Sequence, residues 1–565
     1  DDPASECDES ALLIRMPDGT IKYRSTNTVD PAGINGQSVV NGTDGMDQMF
    51  GGNDNDTFWG GLGNDIINGG GGDDFVLGGF GDDIILDLAG DDFLNGGPGN
   101  DAIDGGMGLD IIIGGDGKDF TNGGGNFNET FLGEGDDFAI AGQGTDAVFG
   151  DSGDDWIEGG DQPDLLIGDS SSLFFDDHNK PGHDILIGQG GDDDYDMEGG
   201  DDIGVAGPGV EKVAGGAGFD WEIGLGDPQP QDADLELKLV NVLPAFETRD
   251  RYNEIEALSG WKFNDTLRGD DIIPSQAAGD GTIGCNALDA DGVGRIAGLE
   301  FLVPDEIRTI DPTSIIGSAA TNYCGLEGLV WGEGNILLGG EGSDTIEGRG
   351  ADDIIDGDRY MNVRLSVRDS NDVELGSTDL MENKAVTGNF GPGTEGMTLQ
   401  QAVFAGKVNP GNIFSVREIV TPTVPAADCG TAIPLNCDTA VFSGVGPGAA
   451  LEYFFIDNGN GSITVIDNAG VPVGGGGGGG VANRVSDGID TLWNIEQLSF
   501  CDVPGAIRGT CDVPRRLVKV EDLPLSQPTP AVDVTGTRAF GNVNLNTSLP
   551  LAVTVDNTGT APVIV

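Results

Sequence analysis

A nine-residue period that runs from Gly42 to Ile167 without an insertion or deletion restricts this chain more than any other feature. Successive units read Gly51-Gly-Asn-Asp-Asn-Asp56-Thr-Phe58-Trp, Gly60-Gly-Leu-Gly-Asn-Asp65-Ile-Ile67-Asn and Gly69-Gly-Gly-Gly-Asp-Asp74-Phe-Val76-Leu. The sixth position is occupied by Asp47, Asp56, Asp65, Asp74, Asp83, Asp92, Asp101, Asp110, Asp119, Asn128, Asp137, Asp146, Asp155 and Asp164. The eighth is occupied by Met49, Phe58, Ile67, Val76, Ile85, Leu94, Ile103, Ile112, Thr121, Thr130, Ala139, Val148, Ile157 and Leu166. Six loop residues followed by three extended ones turn only the middle strand residue inward, because side chains alternate along a strand. Two units then make one turn of a flattened coil, and stacked turns make two narrow parallel sheets around a thin apolar spine.

Such a spine is too slender to hold the fold alone. Each fully buried side chain contributes about 1.5–3 kcal/mol, against roughly 1–2 kcal/mol of backbone entropy for each residue fixed. The loops show what else is available. Between Gly42 and Ile167, 25 Asp and 3 Glu face Lys118 alone, a density of like charge that needs a counterion. Carboxylates and backbone carbonyls are the hard oxygen donors that calcium gathers in sets of six to eight, and glycine lets a tight loop turn its carbonyls inward. Folding and calcium uptake are then expected to be one equilibrium.

The pattern G-G-x-G-x-D-x-U-x resembles the nonapeptide of RTX, or haemolysin-type, calcium-binding repeats. The resemblance implies an all-β fold, a calcium-bound parallel β-roll, in which each ion is shared by loops two units apart on one edge. After Asp169 the segment 170–182 shifts the phase. The sixth position then reads Asp184, Asp193, Asp202, Glu211 and Asp220, with Gly204 and Glu222 at core positions marking a weaker end. A further patch carries Asp344 and Asp353, with Asn335 and Leu337 before it and an isolated turn at Asp265 and Leu267. The expected metal ligands are the fourteen sixth-position residues above together with Asp184, Asp193, Asp202, Asp220, Asp344 and Asp353.

The remaining chain reads as mixed, mainly β covers for the ends of the roll, which would otherwise expose core and strand edges. The expected division is a lead-in at 1–41, the roll at 42–227, a capping region at 228–331, a short second repeat patch at 332–358, a β-rich domain at 359–523, and a linker with the start of an immunoglobulin-like domain at 524–565. The run Gly474–Gly480 is a linker or loop, since no Lys-Ser/Thr follows it as a phosphate cradle would need. An opening of Asp1-Asp2-Pro3, with neither a start methionine nor a signal peptide, is expected of a mature product or a fragment.

Composition excludes several functions. With 97 acidic and 26 basic side chains, nucleic acid is excluded as a partner on sign alone, because its phosphates need clusters of Lys and Arg. No apolar run reaches the ~18 residues of a membrane span. High net charge is also the signature of disorder, but the regular placement of the apolar residues speaks against it. Seven cysteines allow three pairs, Cys429–Cys437, Cys501–Cys511 and Cys285–Cys324, with Cys7 left over; reduced thiols are the alternative. Oxidised pairs would imply an extracellular or periplasmic setting. The two histidines, His178 and His183, are expected to be solvated loop residues rather than a transition-metal site.

Three further stretches carry a second resemblance. Ile255-Glu-Ala-Leu-Ser-Gly-Trp-Lys-Phe-Asn-Asp-Thr-Leu-Arg-Gly269, Gly334-Asn-Ile-Leu-Leu-Gly-Gly-Glu-Gly-Ser-Asp344 and Asn362-Val-Arg-Leu-Ser-Val-Arg368 look like the RTX-bearing C-terminal half of secreted bacterial haem peroxidases of the animal type, over roughly residues 20 to 510. That family's haem domain lies upstream of its roll, and nothing here matches its haem-binding motifs. No catalytic or cofactor-binding residue stands out, since paired carboxylates are too abundant to be informative. The expectation is therefore a non-catalytic secreted calcium module attached to or partnering a haem peroxidase domain. The alternative is a cell-surface or matrix adhesin or filament protein stiffened by its roll.

Overall fold

The computed structural model describes residues 37–526, apart from 170–181, 240–248, 280–281, 284–285, 304–329, 432, 446–452, 468–485, 504–510 and 512, together with short strands at Leu13–Arg15 and Ile21–Tyr23. Cys7, the Cys285–Cys324 pair, His178, the Gly474–Gly480 run and the immunoglobulin-like segment lie outside the described residues.

The nine-residue period builds an all-β parallel roll. Strands pair in register with strands 18 residues away, as in Ile66↔Ile84, Ile67↔Ile85 and Asn68↔Leu86, so each turn of the coil consumes two units. Alternate units feed opposite sheets. One is an eleven-stranded parallel sheet from Val39–Asn41 to Arg251–Asn253, and the other belongs to an 18-stranded sheet. Between them the eighth-position residues from Met49 to Ile112 form one buried column. It continues through Ala139, Val148, Ile157, Leu166, Leu186 and Tyr195. The weaker end shows how the column tolerates polarity: Glu222 is buried in the spine, and a β-carbon at Gly204 would come within 2.8 Å of its Oε2. Burial raises its carboxyl well above the usual range, the expected response of an acid with no cation beside it.

The roll extends beyond the continuous repeats. A strand at Val39–Asn41 precedes the first complete unit and pairs with Thr57–Leu62. Residues 228–335 carry rungs of the coil: Asp232–Asp234 pairs with Thr266–Arg268, which pairs with Thr345–Glu347, while Ala257–Ser259 pairs with Ile336–Leu338. Ile489–Trp493 continues the 18-stranded sheet in parallel, whereas Thr439–Phe442 and Gln497–Phe500 extend a separate six-stranded sheet that starts at Asp232–Asp234. The antiparallel strands Ser462–Asp467, Tyr453–Asp457 and Arg516–Lys519 then close their edges.

One segment leaves the roll and folds back on it. Tyr360–Arg368, Glu374–Thr378, Thr387–Gly388 and Ile413–Val420 form an antiparallel sheet. The helix Leu399–Phe404 is started by a capping box between Thr398 and Gln401. Met361, Val363, Leu365 and Val367 alternate toward the outer face of the 18-stranded sheet and bury Phe120, Phe138, Trp156, Ile185, Ile203 and Trp221 in a second core. The expectation of one apolar residue per unit is thereby corrected on this side, where from Ala102 onward the seventh repeat position is buried too. Glu158 ties the layers together by accepting hydrogen bonds from Trp156 Nε1–H at 2.7 Å and from the Met381 N–H at 2.9 Å. The described residues contain two α-helices, both short, and two disulfides, Cys429–Cys437 and Cys501–Cys511.

Candidate metal centre

Each sixth-position aspartate is held by its neighbour in the stack. The Asp65 N–H donates to Asp83 Oδ1 at 2.7 Å, the Asp83 N–H to Asp101 Oδ1 at 2.7 Å, and the Asp101 N–H to Asp119 Oδ1 at 2.7 Å. One oxygen of each carboxylate is thus fixed by a backbone donor one turn away. The fifth position carries a second ladder of opposite polarity, in which the Asp82 N–H donates to Asn64 Oδ1 and the Asn100 N–H to Asp82 Oδ1.

The other oxygen is left without a partner. In Asp65, Asp74, Asp83, Asp92, Asp101, Asp110, Asp119, Asp137, Asp146, Asp155, Asp164, Asp184, Asp193, Asp202, Asp220, Asp344 and Asp353, Oδ2 is buried and accepts no hydrogen bond. An orphaned buried carboxylate oxygen is costly once; repeated in rows, it marks positions shaped for a cation. Glycine geometry completes the cradle. A β-carbon on Gly60 would collide with the Gly78 carbonyl oxygen and Asp65 Oδ2, and one on Gly78 would meet Asp83 Oδ2 and the Gly96 carbonyl oxygen. Carboxylate and carbonyl oxygens from loops one turn apart therefore converge at each first glycine, and at the second, Gly79 turns with φ of 115°. This donor set fits calcium.

Stacking sorts all of the expected ligands but Asp344 onto two edges. Asp47, Asp65, Asp83, Asp101, Asp119, Asp137, Asp155, Asp184, Asp202, Asp220 and Asp353 share one; Asp56, Asp74, Asp92, Asp110, Asn128, Asp146, Asp164 and Asp193 share the other, and Asp344 stands in a ladder of its own sheet with Gln231 and Asp265. Three of them differ from the rest. Asp47 Oδ2 accepts from the Thr43 N–H at 2.6 Å and Asp56 Oδ2 from the Gly52 N–H at 2.9 Å, so in these first loops Oδ2 already has a donor. Asn128 spends Oδ1 on the Asp110 N–H and turns Nδ2 toward the Gly123 cradle; an amide nitrogen donates and cannot ligate a cation there. Asn128→Asp is expected to raise the number of calcium ions held at saturation by one, counted by equilibrium dialysis. An unchanged count would show that the cradle does not need that oxygen.

The ladder also finds residues that sequence reading left out. The Glu211 N–H donates to Asp250 Oδ1, the Asp220 N–H to Glu256 Oε2, the Asp344 N–H to Asp438 Oδ1, the Asp353 N–H to Asp490 Oδ1, and the Asp438 N–H to Glu496 Oε2. Their signal was present but short: Asp438-Thr-Ala440, Asp490-Thr-Leu492 and Glu496-Gln-Leu498 each keep the acid and the apolar residue two positions on. Separations of up to 137 residues between paired positions, in place of the regular 18, hid them. Asp265, read as an isolated turn, is a rung of the same ladder, since its N–H donates to Asp344 Oδ1.

His183 is not a solvated loop residue. It occupies the fifth position, and its Nδ1 accepts the Asp201 N–H at 2.8 Å. Burial, with Arg295 and Arg417 nearby, lowers its pKa to about 3, so the ring is a neutral acceptor in the ladder.

Five segments, residues 41–76, 77–112, 131–169, 180–203 and 332–359, match the family model described as the RTX calcium-binding nonapeptide repeat (4 copies). The chain carries RTX calcium-binding repeats. The stretch left between the second and third RTX segments holds Asn128, the position whose side chain departs from the carboxylate row. No curated protein matches the chain by sequence.

Proposed function

We propose that this chain is a secreted, non-catalytic calcium module that folds when it meets extracellular calcium after export, and then stabilises or anchors a haem peroxidase. The observation that carries the calcium part is the double row of buried Oδ2 atoms without hydrogen-bond donors. Divalent ions between the loops would supply the positive charge that 26 basic residues cannot. The two disulfides support an oxidising compartment. Among the described residues no helix is long and apolar enough to cross a membrane. The peroxidase part rests on the likeness of residues 255–269, 334–344 and 362–368 to the RTX half of that family.

A second reading, a surface or matrix adhesin, is favoured by one observation. The outer face of the eleven-stranded sheet exposes Trp59, Phe75 and Ile111, an apolar strip of the kind that marks contact surfaces.

Circular dichroism during a calcium titration tests the shared claim. β-Structure is expected to appear in the sub-millimolar to millimolar range of extracellular sites, and the double replacement Asp83→Asn with Asp101→Asn is expected to raise the midpoint several-fold. An unchanged midpoint would count against ions shared along that edge. A Soret band and a haem-bearing polypeptide in the material purified from its native source support the peroxidase reading. Binding to cells or glycans by haem-free protein supports the adhesin.

A further inference from the structure

Asp87 stands where the nonapeptide has its first glycine, and it is the one acidic residue at that position between Gly42 and Ile167. Its Oδ1 accepts the N–H groups of Leu88 at 2.5 Å and Ala89 at 3.2 Å. Its Oδ2 has no hydrogen-bond donor, although the residue is only 5 % exposed. That oxygen points into the Gly69 cradle, where a β-carbon would collide with Asp87 Oδ2 and meet Asp74 Oδ2 at 2.5 Å. At Gly60 the equivalent place is filled by a neutral carbonyl oxygen, that of Gly78. A carboxylate has therefore replaced a carbonyl.

The consequence is a cluster unlike the rest of the edge. Ligand atoms of Asp74, Asp87 and Asp92 all lie within 4.8 Å of one another, and all three residues are buried. The Oδ2 atoms of Asp74 and Asp92 also lack donors, and among the described residues no Lys or Arg forms an ion pair with any of the three. Facing acceptors need either a proton or a cation between them. Affinity for calcium at oxygen sites rises with the number of charged ligands.

We infer that Asp74, Asp87 and Asp92 form a three-carboxylate calcium site that is tighter than the ordinary sites of the roll and fills first. The inference rests on the calcium reading above, and its test separates the two. The full chain, stripped with a chelator and returned to neutral pH, is titrated with calcium chloride in competition with a chromophoric chelator. The wild type is expected to show one site about tenfold or more tighter than the others. Asp87→Gly, which restores the repeat's own residue, is expected to lose that site while the remaining sites and the dichroism in saturating calcium stay as they were. Asp87→Asn keeps the loop hydrogen bonds and is expected to lose it as well. Binding curves of both variants that superpose on the wild type would overturn the inference and leave a shared proton as the account of the cluster. Loss of β-structure by both variants in saturating calcium would also overturn it, because Asp87 would then act in folding alone. A wild type that takes up no calcium would sink both readings.

Discussion

Without calcium the chain is expected to be most ordered near pH 4 and to lose its β-structure as the pH is raised toward 9, whereas with several millimolar calcium the order is kept. Burial, reinforced by neighbouring carboxylates and only partly offset by backbone donors, raises Asp65 to about 6, Asp83 to about 7, Asp92 to about 8 and Asp101 to about 9. In an unfolded chain the same groups titrate near 3.9. A raised folded-state pKa contributes stability that is fully present below the unfolded value and is lost as pH rises through the folded one. The window is therefore about pH 4 to 9 for the ion-free roll. Calcium reverses the dependence because it binds the ionised carboxylates and competes with their protons. With one proton displaced per ion, the calcium midpoint is expected to fall about tenfold for each pH unit between 6 and 8. Far-ultraviolet dichroism at pH 4, 6 and 8, with and without calcium, measures all of this. A chelated chain as ordered at pH 8 as at pH 4 would mean that the carboxylate rows are stable without ions.

The period made the roll legible because a fixed spacing of one acid and one apolar residue has a single geometric solution. Asp83 and Ile85 needed no other context, and the pairing of Ile85 with Ile67 and Ile103 follows from a step of 18. What was hidden was long-range. Asp353 stacks on Asp490 because the chain closes a detour, and no local pattern states where it will return. The same limit applies to His183, which looks like a loop residue until Asp201 is found stacked on it. At Asn128 the residue type was legible, but whether its oxygen or its nitrogen faced the loop was decided by the Asp110 N–H. The seventh strand position shows the limit best. The repeat treats it as outward on both sheets, yet the segment 360–420 covers one sheet's outer face and leaves the other in solvent.

That asymmetry yields the second large expected effect, a comparison within one molecule between two phenylalanines at the same repeat position. Phe120 is fully buried and meets Phe404 edge-on at 5.6 Å between ring centres. Phe75 is 39 % exposed and stacks on Phe93 at 4.9 Å. Phe120→Ala removes a whole ring from a packed core and is expected to cost about 3–5 kcal/mol. Phe75→Ala loses one aromatic contact on an open face and is expected to cost about 1 kcal/mol. Urea unfolding in saturating calcium, followed by dichroism and tryptophan fluorescence, gives both values against the wild type. Because neither residue lies in a calcium loop, the calcium midpoint should move only as far as the change in folding free energy requires. Equal costs for the two substitutions would mean that the 360–420 segment is not docked on the roll in solution. The second core would then contribute nothing, and the ions and the spine alone would hold the fold.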